Sequence, residues 1–146
     1  VFKGQFLHAI DSKGRLSLPA RLRKNVSQEA DNTFVMTLGI DQCIEVYPKD
    51  QWKLIENKLL NLNFFDQREA RFIRMMLQNA QEDTMDAQSR ILIPQSLLDY
   101  AGITNEVLIL GVLKKIELWN KDIYAGYLAG GKETFEEIAS QVMRIA

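Results

Sequence analysis

The sequence predicts an α+β fold built from two copies of one small β-rich unit, and three observations predict it. First, sliding the chain against itself aligns Asp11-Ser-Lys-Gly-Arg15-Leu-Ser-Leu-Pro19 with Asp86-Ala-Gln-Ser-Arg90-Ile-Leu-Ile-Pro94 without a gap. Second, Gly39 to Tyr47 aligns with Gly111 to Trp119 after a connection that differs by three residues, so two separated matches recur in the same order. Third, 146 residues with 47% hydrophobic content supply enough apolar surface for a real interior. Each copy reads as a tight turn, a short strand, a proline-started helix, a strand up to glycine, and a second strand reached through a hairpin.

Local chemistry justifies the elements in order. Gly4 to Ile10 alternates so that Phe6, His8 and Ile10 share one strand face. Arg15 to Leu18 alternates again, and Pro19 suits the first helical turn, where its missing N–H is no loss; the helix runs from Ala20 to Val26. Phe34 to Leu38 and Ile44 to Tyr47 form one hairpin, and Val107 to Leu110 and Ile116 to Trp119 the other. Trp52, Ile55, Leu59 and Leu62 recur at helical spacing after the first hairpin, with a counterpart helix from about Asp122. A connecting helix from Asp66 to Gln78 puts Ile73, Met76 and Leu77 on one side and Arg68, Arg71 and Arg74 on another. Lys132 to Ile145 is amphipathic through Phe135, Ile138, Ala139, Val142 and Ile145. These elements divide the chain into a first unit at 1–60, a connecting helix at 61–79 and a second unit at 80–146.

Composition narrows the function. Cys43 is the only cysteine, so there is neither a disulfide framework nor a zinc motif, and a reducing cytoplasm is the expected home. No apolar run approaches the roughly 20 residues of a membrane span. One histidine, with no GxSxG elbow, P-loop or His-rich motif, leaves little for catalysis. The chain is expected to be no enzyme and to need no metal, cofactor or small-molecule substrate. A net charge of −1 argues against bulk attraction to nucleic acid, so any such contact must come from a local patch.

The repeated turn supplies that patch. Asp11 can accept from nearby backbone N–H groups, Gly14 tolerates the positive φ such a turn needs, and Lys13 points outward. Arg15 enters the next strand with a planar guanidinium able to fork onto guanine O6 and N7 or to grip phosphate. Arg21, Arg23 and Lys24 follow, so Asp11 to Lys24 carries five cations against one anion, whereas Asp86 to Asp99 carries one cation and two anions. An aspartate four residues before an arginine is also what a simple turn ion pair looks like; a purely structural turn, however, has less reason to keep the arginine twice. The arginines of the connecting helix read as a solvated or subunit-facing side, His8 as a strand-face or interface residue, and Trp52 and Trp119 as packing anchors. Cys43 has no cationic setting that would make it reactive.

The duplicated Asp-x-x-Gly-Arg-x-x-x-Pro pattern, the later glycine, and the Ile44-Glu-Val-Tyr47 and Ile116-Glu-Leu-Trp119 ends resemble the MraZ family over nearly the whole chain. The resemblance implies the AbrB-like swapped-hairpin architecture, in which two tandem β-hairpin units interleave into one pseudo-twofold, barrel-like core with flanking helices. It implies a cytoplasmic, nucleoid-associated bacterial transcription factor that forms ring-shaped homo-oligomers, octamers, and represses the cell division and cell wall gene cluster. It also implies double-stranded DNA carrying short G-rich direct repeats as the partner. The family's Asp-x-x-x-Arg motif falls on Asp11 and Arg15 and on Asp86 and Arg90, with Pro19 and Pro94 as its structural close. Ser89 stands where the family favours glycine, and no basic residue follows Pro94 on its helix, which leaves Arg90 in a supporting role. On this reading Lys13, Arg21, Arg23 and Lys24 hold phosphates while Arg15, on the Gly14 turn, approaches bases. Two rivals stand beside it: a scaffold ring whose basic loops bind acidic proteins, and a metal-dependent phosphoryl hydrolase that joins Asp11 and Asp86.

Overall fold

The computed structural model of the chain describes residues 1–143, so the Ile145 end of the expected last helix lies outside the described residues. The first copy runs β1 (Gln5–Ala9), β2 (Arg15–Ser17), α1 (Ala20–Arg23), a short 3-10 turn, β3 (Thr33–Leu38), β4 (Ile44–Pro48) and α2 (Lys49–Leu60). A connecting helix α3 (Gln67–Gln78) follows. The second copy runs β5 (Gln81–Thr84), β6 (Arg90–Leu92), α4 (Gln95–Ala101), β7 (Glu106–Val112), β8 (Lys115–Trp119) and α5 (Lys121–Ala129), and α6 (Phe135–Val142) ends the described chain.

The two copies exchange their first strands. One six-stranded antiparallel sheet has the order β1-β7-β8-β4-β3-β5, so β1 pairs with the second copy's hairpin and β5 with the first copy's. The remaining strands, β2 and β6, form a separate two-stranded ribbon. Equivalent residues face each other at both self-pairings, Glu45 opposite Glu117 and Leu16 opposite Ile91, so an approximate twofold axis passes through both. The sheet is not closed: β1 and β5 are its edges. The mixed α+β class and the tandem units are as the sequence predicts; the barrel-like closure is not seen.

Alternation along the strands selects the interior. Ile44, Val46, Ile116 and Leu118 turn to the main core with Phe34, Met36 and Ile109, and the ribbon contributes Leu16 and Ile91, both fully buried. Residues of the opposite sheet face are buried as well, because helices cover it: Val35 and Tyr47 cluster with Trp52 of α2, the Tyr47 and Trp52 rings 5.6 Å apart. Opposed like charges are costly in a sheet, and Glu45 and Glu117 are held by one cation, Lys115, whose Nζ lies 2.7 Å from Glu45 and 3.2 Å from Glu117. The equivalent position in the first copy is Cys43, so a single lysine serves both glutamates.

Three local expectations need adjusting. The helix expected to Val26 ends at Arg23, after which Asn25 and Val26 bond back only three residues. Pro19 and Pro94 occupy the N-cap positions, with ψ of 139° at each, rather than the first helical turn. The last helix begins at Phe135 instead of Lys132, where Thr134 Oγ1 accepts from the Glu137 N–H at 3.1 Å.

Candidate nucleic-acid interface

The two Asp-x-x-x-Arg turns have nearly superimposable hydrogen bonds. Asp11 Oδ1 accepts from the N–H groups of Lys13 (2.9 Å) and Arg15 (2.8 Å), and its Oδ2 accepts from Arg15 Nε at 2.7 Å. Asp86 Oδ1 accepts from the N–H groups of Gln88 and Arg90, both at 2.9 Å, and its Oδ2 from Arg90 Nε at 2.9 Å. Both carboxyls are held below the ordinary aspartate range, chiefly because the arginine backbone N–H donates to them; desolvation opposes this, and the guanidinium and the second backbone N–H add to the lowering. These bonds explain why aspartate is needed: the carboxylate shapes the turn and sets the direction of the arginine at once.

Each aspartate holds its arginine's guanidinium only through Nε. Nη1 and Nη2 of Arg15 and Arg90 make no hydrogen bond among the described residues, so each guanidinium keeps its terminal fork free. The ribbon register then places both forks on one side. Arg15 lies opposite Leu92 and Ser17 opposite Arg90, and these four face outward while Leu16 and Ile91 face the core. Arg15 and Arg90 are therefore diagonal neighbours, a relation of about 7–8 Å in an antiparallel pair.

Left-handed backbone is required at the fourth turn residue in both copies. Gly14 has φ +85°, and a Cβ there would sit 2.9 Å from the Ile93 carbonyl oxygen, which the ribbon brings close. Ser89 adopts φ +63° in the same place, and its Oγ accepts from Arg23 Nη1 at 3.1 Å. Arg23 Nε also donates to the Leu18 carbonyl at 3.0 Å, so this arginine clamps one copy's turn to the other copy's helix. Lys13, Arg21 and Lys24 are exposed, and Arg21 lies 5.7 Å above the Phe6 ring. His8 Nδ1 lies 3.1 Å from the Ser17 carbonyl, which can only accept, so Nδ1 carries the proton and β1 braces the ribbon. Sequence reasoning missed the Arg23–Ser89 clamp, because its partners are 66 residues apart; the one available signal was the serine in the glycine position.

The paired-carboxylate arrangement needs Asp11 and Asp86 to converge. The antiparallel ribbon sets their turns at opposite ends, each carboxylate holding its own arginine. Among the described residues no group of three or more His, Cys, Asp or Glu side chains could hold a metal ion, and no helix is long and apolar enough to cross a membrane.

A family model described as "MraZ protein, putative antitoxin-like" matches the chain twice in succession, over residues 1–75 and 76–144. The chain belongs to the MraZ family. Each of the two MraZ matches contains one of the two strand-exchanging copies, and the boundary between the matches falls within α3. A protein named transcriptional regulator MraZ from Carboxydothermus hydrogenoformans is 36% identical over 143 residues, covering 98% of this chain and 97% of its own length. The one from Natranaerobius thermophilus is 38% identical with the same coverage. That from Halothermothrix orenii is 39% identical over 140 residues, 96% of this chain and 95% of its own.

Proposed function

We propose that this chain is a DNA-binding transcriptional regulator that reads short G-rich direct repeats with the outer face of the β2/β6 ribbon. Within that reading it is a cytoplasmic, nucleoid-associated repressor of the bacterial division and cell wall gene cluster, and it acts as a ring-shaped homo-octamer. The observation that carries the proposal is the pair of arginines, Arg15 and Arg90, on one exposed ribbon face with their terminal nitrogens free. A two-stranded ribbon fits the DNA major groove, about 12 Å wide, and an arginine fork matches guanine O6 and N7 there. Lys13, Arg21 and Lys24 flank the first turn as phosphate contacts. Arg23 contributes mainly by holding the Ser89 turn, and through it Arg90. The names of the relatives, all transcriptional regulators, support the same reading.

The patch is modest on one subunit, and linking several in a ring raises overall affinity by about 10²–10⁴ when the repeat spacing permits simultaneous contact. The strand exchange supports regarding the core as the swapped-hairpin architecture contained in one polypeptide. The units are those at 1–60 and 80–146, joined through 61–79.

Fluorescence anisotropy on a G-rich direct-repeat duplex and on a scrambled one, across a salt series, tests the proposal. Wild type should prefer the repeats, and Arg15→Ala should lose about 1–3 kcal/mol of that preference. Lys13→Ala should instead weaken both duplexes alike and reduce the salt slope by about one. Equal losses on both duplexes for Arg15→Ala would remove base reading; binding to neither at low salt would turn attention to acidic protein partners.

A further inference from the structure

Of the four side chains on the outer face of the β2/β6 ribbon, one is apolar. The register sets Arg15 opposite Leu92 and Ser17 opposite Arg90, and Leu92 is 48% exposed. Its position is fixed from two sides. The Leu92 N–H donates to Asp83 Oδ2 at 2.8 Å, which ties β6 to β5, and Leu92 Cδ1 lies 3.8 Å from where a Cβ on Gly14 would stand. The side chain therefore leans over the turn that launches Arg15. Single exposed leucines are ordinary on protein surfaces; this one stands directly beside a guanidinium whose terminal nitrogens are free.

The ungapped repeat makes Ser17 the counterpart of Leu92, and Ser17 is exposed too. Arg15 and Arg90 exchange under the approximate twofold of the ribbon, so the two arginines alone would read a duplex equally well in either direction, as twofold readers match palindromic sites. Lys13, Arg21 and Lys24 break that symmetry through phosphate, which carries no sequence. Among the four ribbon side chains, the inequality of Ser17 and Leu92 is what breaks it at the bases. The major groove offers leucine one apolar group, the C5 methyl of thymine. Directly opposed residues of an antiparallel pair have Cβ atoms about 4.5–5.5 Å apart, which is between one and two base-pair steps of about 3.4 Å. With Arg15 on a guanine, Leu92 reaches the next base pair or the one beyond it.

We propose that Leu92 is a specificity-determining residue that packs on a thymine methyl beside the guanine read by Arg15, and that its inequality with Ser17 gives each repeat a direction. This rests on the base reading proposed above and deepens it. A reader with a direction favours elements that all point the same way, as direct repeats do, over inverted pairs.

Replacing thymine by deoxyuridine removes the methyl and leaves every hydrogen-bonding group in place. The test titrates the full chain by fluorescence anisotropy on G-rich direct-repeat duplexes with A·T pairs on both sides of the guanines, exchanging thymine for deoxyuridine one position at a time within two steps of them. Wild type should lose affinity at one such position by about fourfold per repeat, the equivalent of burying one methyl group. Leu92→Ser should lose about the same on the thymine duplex and then be indifferent to deoxyuridine. Ser17→Leu combined with Leu92→Ser should move the sensitive thymine to the other side of the guanines; both positions are exposed, and circular dichroism checks that these variants fold. The inference is overturned, with the base reading left standing, by a wild type that keeps its Arg15-dependent preference for the repeats yet ignores every methyl. Leu92→Ser retaining the wild-type methyl sensitivity, or a double exchange whose sensitive thymine stays where it was, overturns it likewise. A wild type with no preference for the repeats removes the base reading and this inference together.

Discussion

At the scale of single residues, the turn chemistry makes sharp demands. Gly14→Ala forces a Cβ onto left-handed backbone and against the Ile93 carbonyl, so it should lower stability by at least about 1–2 kcal/mol in urea titrations. Ser89→Gly should relieve backbone strain yet release Arg23, leaving global stability nearly unchanged while Arg90-dependent DNA affinity falls. Asp11 and Asp86 both have folded-state pKa values below their ordinary 3.8, so the stability they contribute is fully present above that value and is lost as pH falls through the lowered one. Acid unfolding followed by circular dichroism should therefore show a shallower loss below that pH for Asp11→Asn with Asp86→Asn than for wild type. Burial first, then the neighbouring Glu117 and Glu45, pushes the Cys43 thiol up to about 12. Iodoacetamide at neutral pH should leave native protein unlabelled and modify it readily in denaturant.

At the scale of elements, the ribbon is the piece that joins recognition to the core. Leu16 and Ile91 are fully buried beneath the two arginines, and Leu16→Ala should cost about 2–5 kcal/mol and loosen the reading face together. Lys115→Ala should cost about 3 kcal/mol by thermal melts, the lower end for a broken buried pair because its side chain is a quarter exposed. What was legible in the sequence follows the same division. The hairpins, α2 and α3 carry their own periodicity, and the repeated Asp, Arg and Pro located both turns. β5 was not legible, since Gln81, Glu82, Asp83 and Thr84 have no apolar alternation; pairing with β3, helped by a 2.9 Å contact between the Thr33 and Thr84 hydroxyls, makes it a strand. The common outer face of Arg15 and Arg90 was equally hidden, because it depends on which strand pairs with which across 75 residues.

At the scale of the whole molecule, the strand exchange means that neither copy owns its fold. β1 completes the second hairpin and β5 the first, so a fragment ending before β5 lacks both the partner of β2 and the edge of β3. Expressed separately, residues 1–79 and 80–146 should each lack a cooperative melt, and mixing them should restore one. The pairing of Gln5–Ala9 with Glu106–Leu110 also sets a clock on synthesis. At about 5–20 residues per second, a ribosome needs about 5–20 s to travel from the first strand to its partner. For all of that time the alternating apolar edge of β1 is unclaimed, and a chaperone, or the β7 strand of another chain whose own β1 has not yet docked, can reach it before its own partner has been made.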